Sequence, residues 1–362
     1  MVATAGPIHH EWLRDPANVD ALRAHDPTFR APPTALPDTF AELLASKKKL
    51  TEKSLSLLVT TRLRAQLLAD YGGAPGLCPY DVAPSRRDRR RIRSCSGYLA
   101  HEWMYSPGRL VRQGVVPTLM HPDAFRAALL FRFGLVIPHP GGMATDRRCR
   151  CGRIDPDPLG DHSVGCGAND AGLLARHNEV VAAVMVMAAE GGLVAQNGLR
   201  HQYPALRDPP RGVFRTYTPD LIIRHYPTWN DTLVGDVVFG HPTCPTYMRR
   251  VGDGPLVTAN QVAAAKEAKV DRFLELVQAE RGYAPPASER FAALSFETYG
   301  AAGEPMARLF RGLIATWART HHACESEVAV FRHKWRHRVS TAVQQRNAEL
   351  MGFGAGAWSR RP

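Results

Sequence analysis

Lysine is scarce in this chain. Of 46 basic residues, seven are lysines (Lys47, Lys48, Lys49, Lys53, Lys266, Lys269 and Lys334) and the other 39 are arginines. Arginine suits bidentate contact with phosphate, although a compositional bias toward arginine explains the ratio equally well. Such a bias leaves the excess of base over acid unexplained. At 46 against 34, a formal charge of +12, that excess favours a polyanionic partner such as nucleic acid. Cysteine is also sparse, and its count of seven in 362 residues is odd. A secreted disulfide scaffold is thereby disfavoured, and metal ligation or free thiols are expected. Long apolar runs are missing. The longest, residues 180–189, is far short of the roughly 20 residues of a membrane span. Residues 1–12 carry two histidines and no apolar signal core, so no membrane association or secretion is expected.

What remains is a chain with 44% hydrophobic residues, able to bury cores, and long enough for two or three domains. Residues 1 to about 40 are proline-rich and aperiodic, and 40–71 have the spacing of one or two helices. The segment SRRDRRRIR at 85–93 is an arginine cluster, read either as a solvated face or as a phosphate contact through residues such as Arg89 and Arg90. His121-Pro122-Asp123 predicts a helix start, closed by Gly134 and Pro138.

Cys149, Cys151, His162 and Cys166 then follow within 18 residues as C-x-C-x10-H-x3-C. Thiolate and imidazole suit tetrahedral zinc, and three cysteines with one histidine would close the coordination sphere, as in structural sites. Gly152, Gly165 and Gly167 permit the tight turns needed. A loop with chance cysteines stays open as the plainer reading.

Residues 171–190 predict a helix stopped by Gly191-Gly192, with Leu173, Leu174, Val180, Val181, Val184 and Met187 as its buried stripe. Two strands follow, 218–223 and 232–239, separated by a turn. Asp220 enters the first and Asp236 lies inside the second. Acids there are costly unless something ligates them, and a strand pair can bring them together to hold Mg2+ or Mn2+. A turn cap and a buried hydrogen-bond network would also account for them. Lys266 and Lys269, at i and i+3 on a helix predicted over 257–278, are the first lysines after Lys53. They could neutralise a phosphate transition state or be ordinary surface charges. The basic stretch 332–338, including Arg336 around Trp335, could face phosphate or pack.

Taken in order, these motifs resemble the C-terminal region of site-specific non-LTR retrotransposon polyproteins, where a reverse-transcriptase tail leads through a CCHC zinc knuckle into a restriction-like endonuclease of the PD-(D/E)XK superfamily. The match runs over residues 94–320 through Cys149, Cys151, His162, Cys166, Arg176-His177-Asn178, Pro219-Asp220, Asp236-Val237-Val238, His241-Pro242 and Lys266-x-x-Lys269, to a closing strand at 291–300 and a helix from Glu304.

The resemblance implies an α/β fold, a small mixed sheet flanked by helices. It implies a helical region at 1–145, a knuckle at 146–170, a nuclease core at 171–322 and a basic helical extension at 323–362. By the same token Asp220 and Asp236 would bind Mg2+ or Mn2+, with Glu179 completing the shell. Lys266 or Lys269 would be the catalytic lysine, displaced from the usual position, which holds Val238. Arg176 and His177 would match the family's Arg-His motif, and with Arg89, Arg90 and Arg336 of the two basic stretches they are the residues expected to contact DNA. The implied activity is metal-dependent DNA cleavage in the nucleus, otherwise the cytoplasm, with DNA and secondarily RNA as partners and structural zinc. A non-catalytic zinc-containing nucleic-acid-binding module, or a decayed retrotransposon fragment, is the alternative. The chain departs from the family in having no reverse-transcriptase active-site motif, and in placing Val270 where the family has an aromatic.

Overall fold

The computed structural model describes residues 84–353, except 96, 105–106, 135–136, 138–150, 152–158, 227–230 and 251–255. All of these residues belong to one compact unit, Gly72–Pro362. The helical lead-in expected before residue 72, with Lys47, Lys48, Lys49 and Lys53, lies outside the described residues.

Among the described residues four α-helices come first: α1 (Pro84–Cys95), α2 (Pro107–Arg112), α3 (Pro122–Phe133) and α4 (Asp161–Gly165). The start of α3 is as the sequence predicts. His121 Nδ1 accepts from the Asp123 amide at 3.4 Å, and Gly134 closes the helix with φ 65. The core follows as α5 (Asp170–Glu190), β1 (Val194–Asn197), β2 (Leu221–Tyr226), β3 (Asp231–Gly240), α6 (Pro245–Arg250), α7 (Val257–Arg281), β4 (Glu289–Glu297), α8 (Glu304–Thr320) and α9 (Glu325–Leu350). The strands lie in the order β1-β2-β3-β4. The first two pairings are antiparallel, and β3 and β4 run parallel, the α7 crossover joining them. The protein is therefore mixed α/β, with a small mixed sheet flanked by helices.

Strand periodicity divides the sheet between two cores. Leu221 and Ile223 of β2, Leu233 and Val237 of β3 and Leu294 of β4 pack with Val180, Val184 and Met187 of α5, Phe310 and Leu313 of α8 and Trp335 of α9. Asp236, one residue out of phase with Val237, faces α7 instead. On that side Val270, Phe273 and Val277 of α7 pack with Tyr203 and Tyr217 from the β1–β2 connection. Helix α5 is long and apolar enough by composition to cross a membrane, within a helical stretch at Gly167–Glu190, yet its apolar stripe is part of the sheet core.

One sequence expectation is corrected here. Leu174 is 58% exposed, because the buried stripe of α5 runs through Arg176, Val180, Val184 and Met187, and Leu174 is turned away from it. The basic C-terminal stretch is helical, and of its two expected readings the described structure has Trp335 packed. Phe331, Trp335, Val339 and Val343 of α9 belong to the main core, and Trp335 is fully buried with its Nε1 donating to Glu190 at 3.0 Å.

Candidate active site

The site begins with strand register. Leu221 pairs with Gly235, and the Asp220 amide donates to the Gly235 carbonyl at 3.0 Å, which carries the pairing one residue further. Asp220 therefore stands opposite Asp236, on the same face of the sheet, where directly opposed Cβ atoms are roughly 5 Å apart. The two acids lock each other. Asp236 Oδ1 accepts from the Asp220 amide at 3.0 Å, and Asp220 Oδ2 accepts from the Val237 amide at 2.7 Å.

Three side chains complete the constellation. Lys266 of α7 places Nζ 2.6 Å from Asp236 Oδ2, and Tyr217 donates its hydroxyl to the same oxygen at 2.8 Å. From the other side, α5 brings His177 Nε2 to 2.7 Å from Asp220 Oδ2, with its Nδ1 3.0 Å from Asn178 Oδ1. Asp236 is buried, whereas Asp220 retains 24% of its side-chain exposure and forms the open end of the pair.

The electrostatics follow from this crowding. Burial raises the Asp236 pKa, the neighbouring Asp220 charge raises it further, and Lys266 opposes both. Burial and Asp236 push the Tyr217 phenol far above its ordinary value, so it stays a donor. Burial alone would lower His177, but the hydrogen bond to Asp220 and its charge prevail and raise it. Two adjacent carboxylates, one open to solvent, are a donor set suited to a hard divalent cation such as Mg2+ or Mn2+. Lys266 supplies one positive charge at Asp236, and His177 gives Asp220 a hydrogen-bond partner.

The other candidate residues fall elsewhere. Glu179 does not reach the acid pair. It lies two residues after His177 on α5, hence on another face, and accepts from Arg346 Nη2 at 2.6 Å. Lys269 is exposed, with Nζ 3.9 Å from the ring centroid of Phe214. Arg176 is 4% exposed. It donates to Asn347 Oδ1 at 2.7 Å and to the Val164 carbonyl at 3.2 Å, and its guanidinium stacks 4.3 Å over Phe239. Burial lowers its pKa to about 10.

Arg90 is buried too, and donates to the Tyr247 carbonyl at 2.9 Å. Both arginines are thus internal, which corrects the expectation that they meet DNA. Arg336 bonds the Tyr98 hydroxyl at 3.1 Å and pairs with Glu102 at 3.4 Å, so its charge is turned inward. The Arg89 side chain lies outside the described residues. Within the α1 arginine cluster, Arg87, Arg90 and Arg91 are buried, so these three form no solvated face. Arg87 and Arg91 both pair in the interior with Asp161, the latter at 2.6 Å.

Sequence reasoning missed Tyr217 and Phe214. Two aromatics within six residues of Pro219-Asp220, in an otherwise polar connection, were the available signal.

At the second cluster, Cys151 Sγ, His162 Nε2 and Cys166 Sγ lie within 4.8 Å of one another, with Cys151 and His162 at 3.3 Å. Cys149 lies outside the described residues. The three ligand atoms have the soft character and mutual spacing that suit one tetrahedral zinc ion.

Set beside known proteins, the chain matches no family model and no curated protein.

Proposed function

We propose that the chain is a divalent-metal-dependent DNA endonuclease of restriction-like, PD-(D/E)XK type, related to the nuclease of site-specific non-LTR retrotransposons. The observation that carries this reading is the pairing of Asp220 with Asp236 on adjacent strands with the Lys266 ammonium 2.6 Å away. The element order around it, a helix, three antiparallel strands, a crossover helix and a parallel fourth strand, is compatible with that core. In this reading Asp220 and Asp236 hold Mg2+ or Mn2+. The ion, when bound, supplies an acidified water as nucleophile and charge stabilisation at the phosphoryl group.

The protein's own groups have distinct roles. Tyr217 and the Asp220 amide fix the Asp236 carboxylate, His177 orients Asp220 from the solvent side, and Lys266 offers a positive charge where the pentacovalent phosphate would build negative charge. Cys151, His162 and Cys166, with Cys149, would hold structural zinc.

Plasmid nicking by the zinc-loaded protein with Mg2+ or Mn2+ tests the reading. Cleavage is expected, abolished in Asp236→Ala and lowered about 10²- to 10³-fold in Lys266→Ala. A metal-dependent activity that survives Asp236→Ala overturns it.

One observation favours the second reading, a non-catalytic nucleic-acid-binding module. Lys266 ion-pairs with Asp236 and His177 hydrogen-bonds Asp220, so both carboxylates have protein partners. Salt-dependent DNA binding without any cleavage would select that reading.

A further inference from the structure

The helix face that brings Lys266 to the acids also carries Lys269, and the two lysines have different surroundings. Lys266 is one-quarter exposed and ion-paired with Asp236. Lys269 is exposed and makes no ion pair among the described residues. It is nonetheless held, its Nζ 3.9 Å from the centroid of Phe214. Phe214 in turn stacks on Tyr217 at 5.4 Å and 29°, and Tyr217 bonds Asp236. Lys269 is therefore tied to the acid pair through two aromatic rings.

A ring holds an ammonium differently from a carboxylate. It attracts the cation through its quadrupole but leaves the net charge and N–H donors available to an anion. Most basic side chains on α9 are handled in the opposite way. Lys334 pairs with Glu190, Arg336 with Glu102 and Arg346 with Glu179. Lys269 is a positive charge that is held in position without being neutralised, two aromatic rings away from Asp236 of the acid pair. Arg211 and Arg215, on the same connection as Phe214, are exposed and add to the positive rim.

We propose that Lys269, positioned by Phe214, is a substrate-contact residue that binds a backbone phosphate flanking the scissile one, while Lys266 serves the reacting phosphate. The assignment rests on the nuclease reading for the identity of the polyanion, and its test is arranged to separate the two.

DNA affinity of the full zinc-loaded chain is measured by fluorescence anisotropy with a labelled duplex across a potassium chloride series, without added Mg2+. Lys269→Ala is expected to weaken binding and to reduce the slope of log K against log salt by about 1, the loss of one phosphate contact. Phe214→Leu should follow in direction, and Phe214→Tyr should restore the wild-type slope, since it keeps the ring. Melting curves confirm that each variant is folded. In nicking assays with Mg2+, Lys269→Ala should raise KM with kcat near wild type, whereas Lys266→Ala lowers kcat.

An unchanged slope in Lys269→Ala, a Phe214→Tyr variant that behaves as Phe214→Leu, or a loss of kcat in Lys269→Ala overturns the proposal. A wild-type chain that does not nick, but whose slope still falls by about 1 in Lys269→Ala, leaves the contact standing and removes the nuclease.

Discussion

Gly198 sits where the chain leaves β1 and passes beneath Pro219. A Cβ there would lie 2.0 Å from the Pro219 carbonyl oxygen, and the Gly198 amide donates to the Asp220 carbonyl at 3.1 Å. The obstacle is backbone, which cannot swing aside as a side chain does, and it is the backbone that carries Asp220. Gly198→Ala is therefore expected to cost about 1–3 kcal/mol of stability and to remove nicking by shifting Asp220 out of line with Asp236. Chemical denaturation and the plasmid assay check the two halves, and a stable variant with normal cleavage would contradict the account. Arg176 makes the complementary case. Its guanidinium satisfies Asn347 and the Val164 carbonyl in the interior, so Arg176→Met should destabilise by about 1–3 kcal/mol through the acceptors left unpaired. DNA affinity of the folded fraction should not change.

Helix α9 closes the core across α5, and Trp335 is its largest fully buried side chain. The indole is fully buried, donates to Glu190, and has the Lys334 ammonium, itself bonded to Glu190, 5.1 Å from its ring. Trp335→Ala is expected to cost about 3–5 kcal/mol, read as a lowered denaturation midpoint, which a solvated helix could not show. The elements themselves were legible wherever periodicity and caps agreed. The sequence reading of α3, α5, α7, the β2–β3 pair and the closing β4–α8 unit lies close to the observed bounds, because each has an apolar repeat between clear stop signals. Asp220 and Asp236 were legible because acids in apolar strands need a reason. Burial of charge was not legible. Arg87 and Arg91 become internal through Asp161, some 70 residues later, and no local pattern announces a partner so distant. The misassignment of Glu179 was geometric, since only one of two residues spaced i and i+2 on a helix can face the same site.

At the scale of the whole molecule, several elements converge on one buried polar cluster. Asp161 of α4 meets Arg87 and Arg91 of α1, His241 just after β3, and the Tyr299 hydroxyl beyond β4, which donates to it at 2.5 Å. His241 is also bonded to Thr298 at 2.7 Å and to Thr243 at 3.0 Å. Burial lowers the His241 pKa to about 4. The Asp161 charge opposes that shift, and Arg87, Arg91 and Arg176 reinforce it. Burial alone would raise Asp161, but Arg91, His241 and Arg87 hold it below the usual carboxylate range. With one acid against two arginines, the cluster has no spare negative charge to receive a proton on His241.

The consequence for stability has a definite sign. Above the ordinary histidine value of about 6.5, His241 is neutral in both folded and unfolded chains and costs nothing. Between there and about 4, the unfolded chain takes up a proton that the folded chain refuses, so stability falls as pH falls, by about 1.4 kcal/mol per unit. Acid also strips protons' competitors from thiolate ligands, so the wild type alone would mix this effect with loss of any bound zinc. The difference between zinc-loaded wild type and His241→Gln removes that common contribution. Denaturation from pH 7 to 4 should show the wild type losing stability more steeply than the variant across this window, and parallel pH profiles would mean that His241 is not the group that opens the cluster to acid.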